Sequence, residues 1–410
     1  MKFKSLVPNI YLFAVATFFA TNCAGPANDN TADDQDREPG DEKELVVILP
    51  DTTLGEGEYI DFSVNVEIPG RYKLQLTADD KSEQSSAWIE DYVGNADGRT
   101  YNITGNLIFD DPGVDEAEVY GSPLDKGIHK MRLHVNKGML KIDQLAFSLM
   151  KKHRASEKIM EQNTTEGEWK IVWSDEFDDE TIDTSKWTFD IGNWGWGNNE
   201  LQYYTDNRPE NARIEDGALV IEARKNDMGE DWTSARLTTR GKIAFLHGKI
   251  ELRAIVPREK GNWAAGWTLG NSYVDELSWP YCGEIDILES VGYEVDNETG
   301  DGIAHATVHT PAYYFKINNQ ISSTKEVKDI ANEWHTYSVE WTPTEIKGFV
   351  DGEQYYLYDK NADEKEWPFF DPQNIILNLA MGGGWGGAQG MDTTVVSQKY
   401  LVDYVRVYGK

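Results

Sequence analysis

Seven consecutive residues, Gly283-Glu284-Ile285-Asp286-Ile287-Leu288-Glu289, hold three carboxylates with apolar residues in every gap. From Glu284 to Ile287 the alternation has period two, which sets the acids on one face of a strand and the isoleucines on the other. Glu289 breaks that parity: five residues after Glu284, it would point to the core of an unbroken strand. One extra residue near Leu288, a β-bulge, turns it back onto the acidic face. Three acids standing in a row cannot all stay ionised, so at least one pKa must rise. Such a row suits glycoside hydrolysis with a carboxylate nucleophile and a carboxyl acid/base roughly 5–5.5 Å apart. Four effective strand steps separate the two glutamate backbones by roughly 13 Å, most of which two long side chains leaning together would span. Two other readings fit the same residues. One is a solvent-facing acidic stripe; the other is a calcium site, for which a strand supplies converging oxygens poorly.

The elements that must position this row are strands. The 410 residues allow two domains, one of them a β-domain of more than 200 residues. Fourteen Trp, 20 Tyr and 14 Phe with 36 Gly agree with many strands, tight turns and surfaces for stacking on sugar rings. A net charge of −32 excludes a nucleic-acid partner, because an acidic surface repels phosphate. Cys23 and Cys282 are the two cysteines, so no disulfide framework exists. Cys282 sits two residues before Glu284. By the same parity it faces the acids, where it reads as a small apolar filler.

Residues 1–22 read as an export signal, with Lys2 and Lys4 ahead of the short apolar run Ile10 to Ala20. Cys23 follows at once and resembles a bacterial lipoprotein cleavage site, where the cysteine becomes the lipidated first residue. Ala20-Thr21-Asn22 lacks the usual small residue before it, which keeps plain secretion as the alternative. Residues 23–44 are acidic and read as a disordered tether. From 45 to 150 short alternating strands and turn signals predict an all-β module the size of a small sandwich. It resembles sandwich-type carbohydrate-binding modules, with Trp88, Tyr92, Tyr101 and Tyr120 as stacking residues; the alternative is a spacer with those rings in its core. Residues 151–167 are polar and read as a linker, and a second β-domain runs over 168–410.

Across that second domain the motifs follow a recognisable order: "WSDEFD" at 173–178, "WGWGNNELQYYT" at 194–205, "DGALVIEA" at 216–223 and "SARLTTRGK" at 234–242. Then come "GNWAAGWTLG" at 261–270, "WPYCGEIDILE" at 279–289, "HATVHT" at 305–310, "WHTYSVEWTP" at 334–343, "ILNLAMGGGWGG" at 376–387 and "VDYVRVY" at 402–408. The series resembles glycoside hydrolase family 16, in particular its laminarinase-like β-1,3-glucanases. The resemblance implies a β-jelly roll, a sandwich of two curved antiparallel sheets with substrate in a cleft. It implies Glu284 as nucleophile, Glu289 as acid/base and Asp286 as the acid between them, acting by double displacement with retention. Trp263 and Trp267 match tryptophans flanking the cleaved sugar. Trp194, Asn199 and Arg236 match the glycone side, His309 matches a cleft histidine, and Trp385 a cleft edge.

Catalysis needs no cofactor on this reading. The resemblance does imply a structural calcium ion at Glu176, Gly217 and Asp403. The implied partner is a β-glucan such as laminarin, cleaved by a monomer that is secreted or anchored by lipid in a bacterial outer membrane. Mixed-linkage β-1,3-1,4-glucan, and agar or carrageenan, are the alternative substrates within the class. Transglycosylation would use the same covalent intermediate. A β-glucan-binding protein without catalysis is the alternative outside the class, and the intact Glu284, Asp286 and Glu289 argue against it.

Overall fold

The computed structural model describes residues 44–410 apart from 83 and 110–112. The expected signal 1–22, Cys23 and all of the tether but Glu44 therefore lie outside the described residues. The chain divides between His153 and Arg154 into two compact units.

The first unit is built of two antiparallel sheets, as its alternating runs predict. One sheet orders the strands Glu44–Gly55, Met139–Lys152, Gly70–Lys81 and Glu116–Tyr120. The other orders Tyr59–Val66, Gly127–Lys137 and Ser85–Asp91, with the short strands Tyr101–Asn102 and Leu107–Phe109 beside the last. Alternate residues such as Val64, Leu74, Leu133 and Phe147 close the core. Trp88 stays half-buried, its ring stacked 4.2 Å from His134. Tyr92 and Tyr101 meet edge to face at 6.1 Å, and Tyr120 ends its strand half-buried.

The second unit is a larger sandwich. Its site-bearing sheet runs in the order Ile159–Glu161, Ala244–Leu246, Gln373–Met381, Asn262–Gly270, Glu284–Val291, Gly302–His309 and Ile321–Val327. The opposing sheet includes Ala218–Asp227, Ser397–Gly409, Gly248–Ile255 and His335–Trp341. Gly248–Ile255 shows why these sequences form half-buried strands: Ile250, Leu252 and Ala254 are buried, while Lys249, Glu251 and Arg253 between them are not. Gln373–Met381 is buried at every position, because core side chains cover one face and the site covers the other. Ile285, Ile287 and Leu288 enter the same core as Ile250, Leu252, Val405 and Val407.

The polar stretch 151–167 is not a free linker. Lys151 and Lys152 complete the last strand of the first unit, and Ile159–Glu161 pairs in parallel with Ala244–Leu246 in the second. Ser156 is buried: its N–H donates to Asn271 Oδ1 at 2.8 Å, and its Oγ accepts from Asn374 Nδ2 at 2.8 Å. Composition misled here because polar side chains can be buried when backbone and amide partners satisfy them.

Candidate active site

The acids stand on Glu284–Val291, held between Asn262–Gly270 and Gly302–His309. On one side Ala265 pairs with Glu289, Gly266 with Leu288 and Trp267 with Asp286, so the acidic strand carries one residue more than its neighbour. On the other side Asp286 pairs with Thr307 and Glu289 with His305, again one residue extra. This is the bulge that the broken parity required. Asp286 and Glu289 are buried on the face of Glu284, while Ile287 and Leu288 both enter the core.

Two indoles hold the outer acids. Trp263 Nε1 donates to Glu289 Oε1 at 3.0 Å, and Trp279 Nε1 donates to Glu284 Oε2 at 3.0 Å. Trp279 reaches back because the chain turns sharply before the strand: Cys282 N donates to Ser278 O, Gly283 N donates to Pro280 O, and Gly283 has φ +73°. Gly270 packs against that turn so closely that a Cβ there would lie 1.9 Å from Cys282 O. Cys282 therefore precedes the strand. It lies in an apolar cluster with Leu269, Trp279 and Ile376, and burial pushes its thiol pKa up. The filler reading stands, and on the expected face: Leu269 pairs with Glu284 and Ile376 with Trp267, so this cluster lies on the side of the acids.

Register sets His309 opposite Glu284, with Nε2 3.6 Å from Glu284 Oε1 and 3.6 Å from Asp286 Oδ2. Burial pushes its pKa down to about 3, so the imidazole is neutral at neutral pH. Trp263, Ala265 and Trp267 share the face of the acids, and Trp267 Nε1 donates to Asn378 Oδ1 at 2.7 Å. Trp385 meets Trp263 edge to face at 5.2 Å and His305 at 4.9 Å, which places it beside Glu289's end of the row.

Arg236 is tied to an acid and set between two indoles. Its Nε donates to Asp190 Oδ2 at 3.0 Å, and its guanidinium lies 4.7 Å from the ring of Trp196 and 4.8 Å from that of Trp267. A cation held between two rings supports the walls and acts on Glu284 through its charge. Trp194 is 3% exposed and packs on Trp196 at 3.7 Å, so it backs the wall that Trp196 forms. Asn199 has φ +58° in the turn where Asn198 N and Glu200 N both donate to Gly195 O.

Residues missed from the sequence are Trp279, Trp196, Asn378, Glu200 and Glu276. Trp279 stands five residues before Glu284 and could have been found only by anticipating the turn at Pro280–Gly283. Glu200 accepts from Asn198 Nδ2 and Gln202 Nε2, yet burial raises its pKa to about 7. Glu276 accepts from Tyr273 Oη at 3.4 Å, and burial raises its pKa too.

Electrostatically the row is a buried cluster of like charge. Burial, then the charge of Glu289, pushes Glu284 up to about 8, while the Trp279 N–H and the charge of Arg236 pull the other way. Burial, then the charges of Glu289 and Glu284, raises Asp286 well above the usual carboxylate range. Burial pushes Glu289 up to about 7 against the Trp263 N–H. No hydrogen-bond donor or cation offsets that rise at Asp286.

The three positions expected to hold calcium are brought together away from the row. The strand Ser397–Gly409 pairs Val405 with Asp175 and Val402 with Leu219, which sets Glu176, Gly217 and Asp403 at neighbouring positions. Arg406 bonds the Glu176 carboxylate at 2.7 Å, and Arg253 bonds Asp403 Oδ2 at 2.7 Å. Both pairs are partly exposed and worth about 0–1 kcal/mol, so a dication with backbone carbonyls to help could displace Arg253. The residues fit on that condition.

A two-sheet antiparallel sandwich bearing a bulged row of three carboxylates, walled by tryptophans, defines a glycosidase-type site. The family model for glycosyl hydrolases family 16 matches residues 199–406, and the chain belongs to that family. Over 254 residues it is 45% identical to a β-glucanase of Rhodothermus marinus, covering 58% of this chain and 85% of that relative. The X-ray structure of the laminarinase from Rhodothermus marinus superposes with a TM-score of 0.55 at 44% identity, over 59% of this chain and 98% of that one. A non-specific endo-β-1,3(4)-glucanase of the family superposes with a TM-score of 0.56 at 39% identity, over 61% of this chain and 98% of that one.

Two outcomes are expected. Between the unfolded pKa of 4.5 and the folded value of about 7, the folded state holds the Glu289 proton more tightly than the unfolded chain, so stability falls as pH rises. Glu289→Gln removes this penalty. Its stability relative to wild type should grow by about 2–3 kcal/mol between pH 4.5 and pH 8 in urea unfolding, and a gap that stays constant would refute the assignment. Calcium should raise the melting temperature of the wild-type chain but not that of Asp403→Asn; equal melting of wild type in calcium and in EGTA removes the calcium site.

Proposed function

We propose that the chain is a retaining endo-β-1,3-glucanase acting on laminarin-like β-glucans. The observation that carries this is the bulged row Glu284, Asp286, Glu289 with an indole N–H on each outer glutamate, in a chain 45% identical to a β-glucanase. Glu284 attacks C1 of the sugar, and Glu289 gives its proton to the glycosidic oxygen as that bond breaks. Glu289 then takes a proton from water, which attacks C1 of the glycosyl-enzyme and frees Glu284 with configuration retained. The Trp279 N–H and the charge of Arg236 favour the ionised form of Glu284, the form that attacks. The raised pKa of Asp286 disfavours a second negative charge in the row. Trp263 orients Glu289 and, with Trp385, offers faces on which sugar rings stack.

Mixed-linkage β-1,3-1,4-glucan is a second reading, favoured by the likeness to the non-specific endo-β-1,3(4)-glucanase. Reducing-sugar release from laminarin, curdlan, lichenan, agarose and κ-carrageenan, with wild type beside Glu284→Gln, separates these readings. Laminarin should be cleaved best, and Glu284→Gln should lose at least about 10³-fold in rate, the scale of losing a covalent nucleophile. Release from the galactans alone would overturn the substrate.

Export and a lipid anchor at Cys23 rest on the sequence of residues 1–23. Cys23→Ser should move the protein from the membrane fraction to the soluble fraction of a bacterial host. Equal fractionation of variant and wild type counts against the anchor.

A further inference from the structure

Three ligand-type atoms converge in the site without a hydrogen bond between them. Glu284 Oε2 accepts from the Trp279 indole N–H, and its other oxygen, Oε1, lies 3.6 Å from His309 Nε2. Asp286 Oδ2 lies 3.6 Å from the same nitrogen; this side chain is 3% exposed and Oδ2 has no hydrogen-bond partner. All three atoms fall within 4.8 Å of one another. His309 is itself 8% exposed, and its Nδ1 has no partner either.

The His309 ring makes no hydrogen bond here: both oxygens lie 3.6 Å from Nε2, and Nδ1 has no partner. With the proton on Nε2, the N–H points between two oxygens too far away to bond well. With the proton on Nδ1, that N–H is buried without an acceptor. A dication among the three atoms would satisfy Glu284 Oε1, Asp286 Oδ2 and His309 Nε2 together, leaving Nδ1 alone without a partner. Bonds of about 2.0–2.2 Å at tetrahedral angles separate neighbouring ligand atoms by about 3.3–3.6 Å, so the two 3.6 Å gaps already match.

We propose that Glu284, Asp286 and His309 form an inhibitory site for a borderline divalent transition metal such as zinc, bound through Glu284 Oε1, Asp286 Oδ2 and His309 Nε2 with water in the fourth place. Two carboxylate oxygens and one imidazole nitrogen suit zinc, whereas calcium and magnesium take six or more oxygens. Metal-bound histidines ordinarily donate their second ring N–H to an acceptor, and lacking that bond costs this site about 10–100-fold in affinity. Binding is therefore reversible by chelators. A metal on Glu284 Oε1 ties the side chain that attacks C1 and stops turnover. Only this inhibitory consequence rests on the reading of Glu284 as nucleophile; the binding itself does not.

The full chain, stripped of metal, is titrated with zinc chloride by calorimetry and by thermal melting, with calcium and magnesium chloride as controls. Zinc should bind, raise the melting temperature and abolish laminarin hydrolysis, and EDTA should restore activity. His309→Gln and Asp286→Asn, each checked for a cooperative melting transition without metal, should bind zinc at least tenfold more weakly. Glu289→Gln keeps all three ligands and should bind zinc as wild type does, although it is inactive. Unchanged zinc affinity in whichever of His309→Gln and Asp286→Asn folds would overturn the site, as would no binding by wild type at millimolar zinc. Zinc binding that depends on His309, in a chain that cleaves no glucan, would uphold the site while the proposed activity fails. Laminarin hydrolysis indifferent to zinc would overturn the site alone.

Discussion

One additional residue in the strand Glu284–Val291 decides what the site can be. Without it Glu289 would project into a core made of Ile250, Leu252 and Val405, where an unpaired carboxylate costs several kcal/mol. With it Ile287 and Leu288 both go inward, and the third acid joins the other two. Its neighbours keep regular registers with their outer partners: Asn262–Gly270 pairs with Gln373–Met381 without a shift, and so does Gly302–His309 with Ile321–Val327. Here the irregularity is confined to the strand that carries the three acids.

Gathering three carboxylates on a buried face works against desolvation and mutual repulsion, and the surroundings answer both. Indole N–H groups, which donate without titrating, are directed at the two outer acids. Arg236 lends positive charge from the second layer, held by Asp190 and between Trp196 and Trp267 rather than beside the acids. A cation in direct contact would pull the carboxylates down to ordinary values. Kept at a distance, it biases Glu284 while the row as a whole retains protons. The same restraint leaves His309, Glu284 and Asp286 with unmet bonding capacity, because none of them can fully satisfy another at 3.6 Å.

Much of this was legible in the sequence. Period-two alternation and turn residues marked the strands of both units, and the broken parity at Glu289 required the bulge at the position where it occurs. Cys282 packs on the side of the acids as its spacing suggested, although the strand does not begin until Glu284 and a turn at Gly283 intervenes. Polarity failed at 151–167, since Ser156 and Gln162 find buried partners from segments more than eighty residues away, which composition cannot foresee.

By itself the sequence determined local things: which residues alternate, where an acid is out of step, and which motifs stand in series. Those follow from backbone period and side-chain type, which act over a few residues. Only the tertiary structure decided which indole holds which acid, that Arg236 braces the wall, and that His309 faces Glu284 across the ladder. Each is a contact between strands or loops distant in the chain, set by register and turn geometry. A register slip of one residue would reverse every one of them without changing a letter.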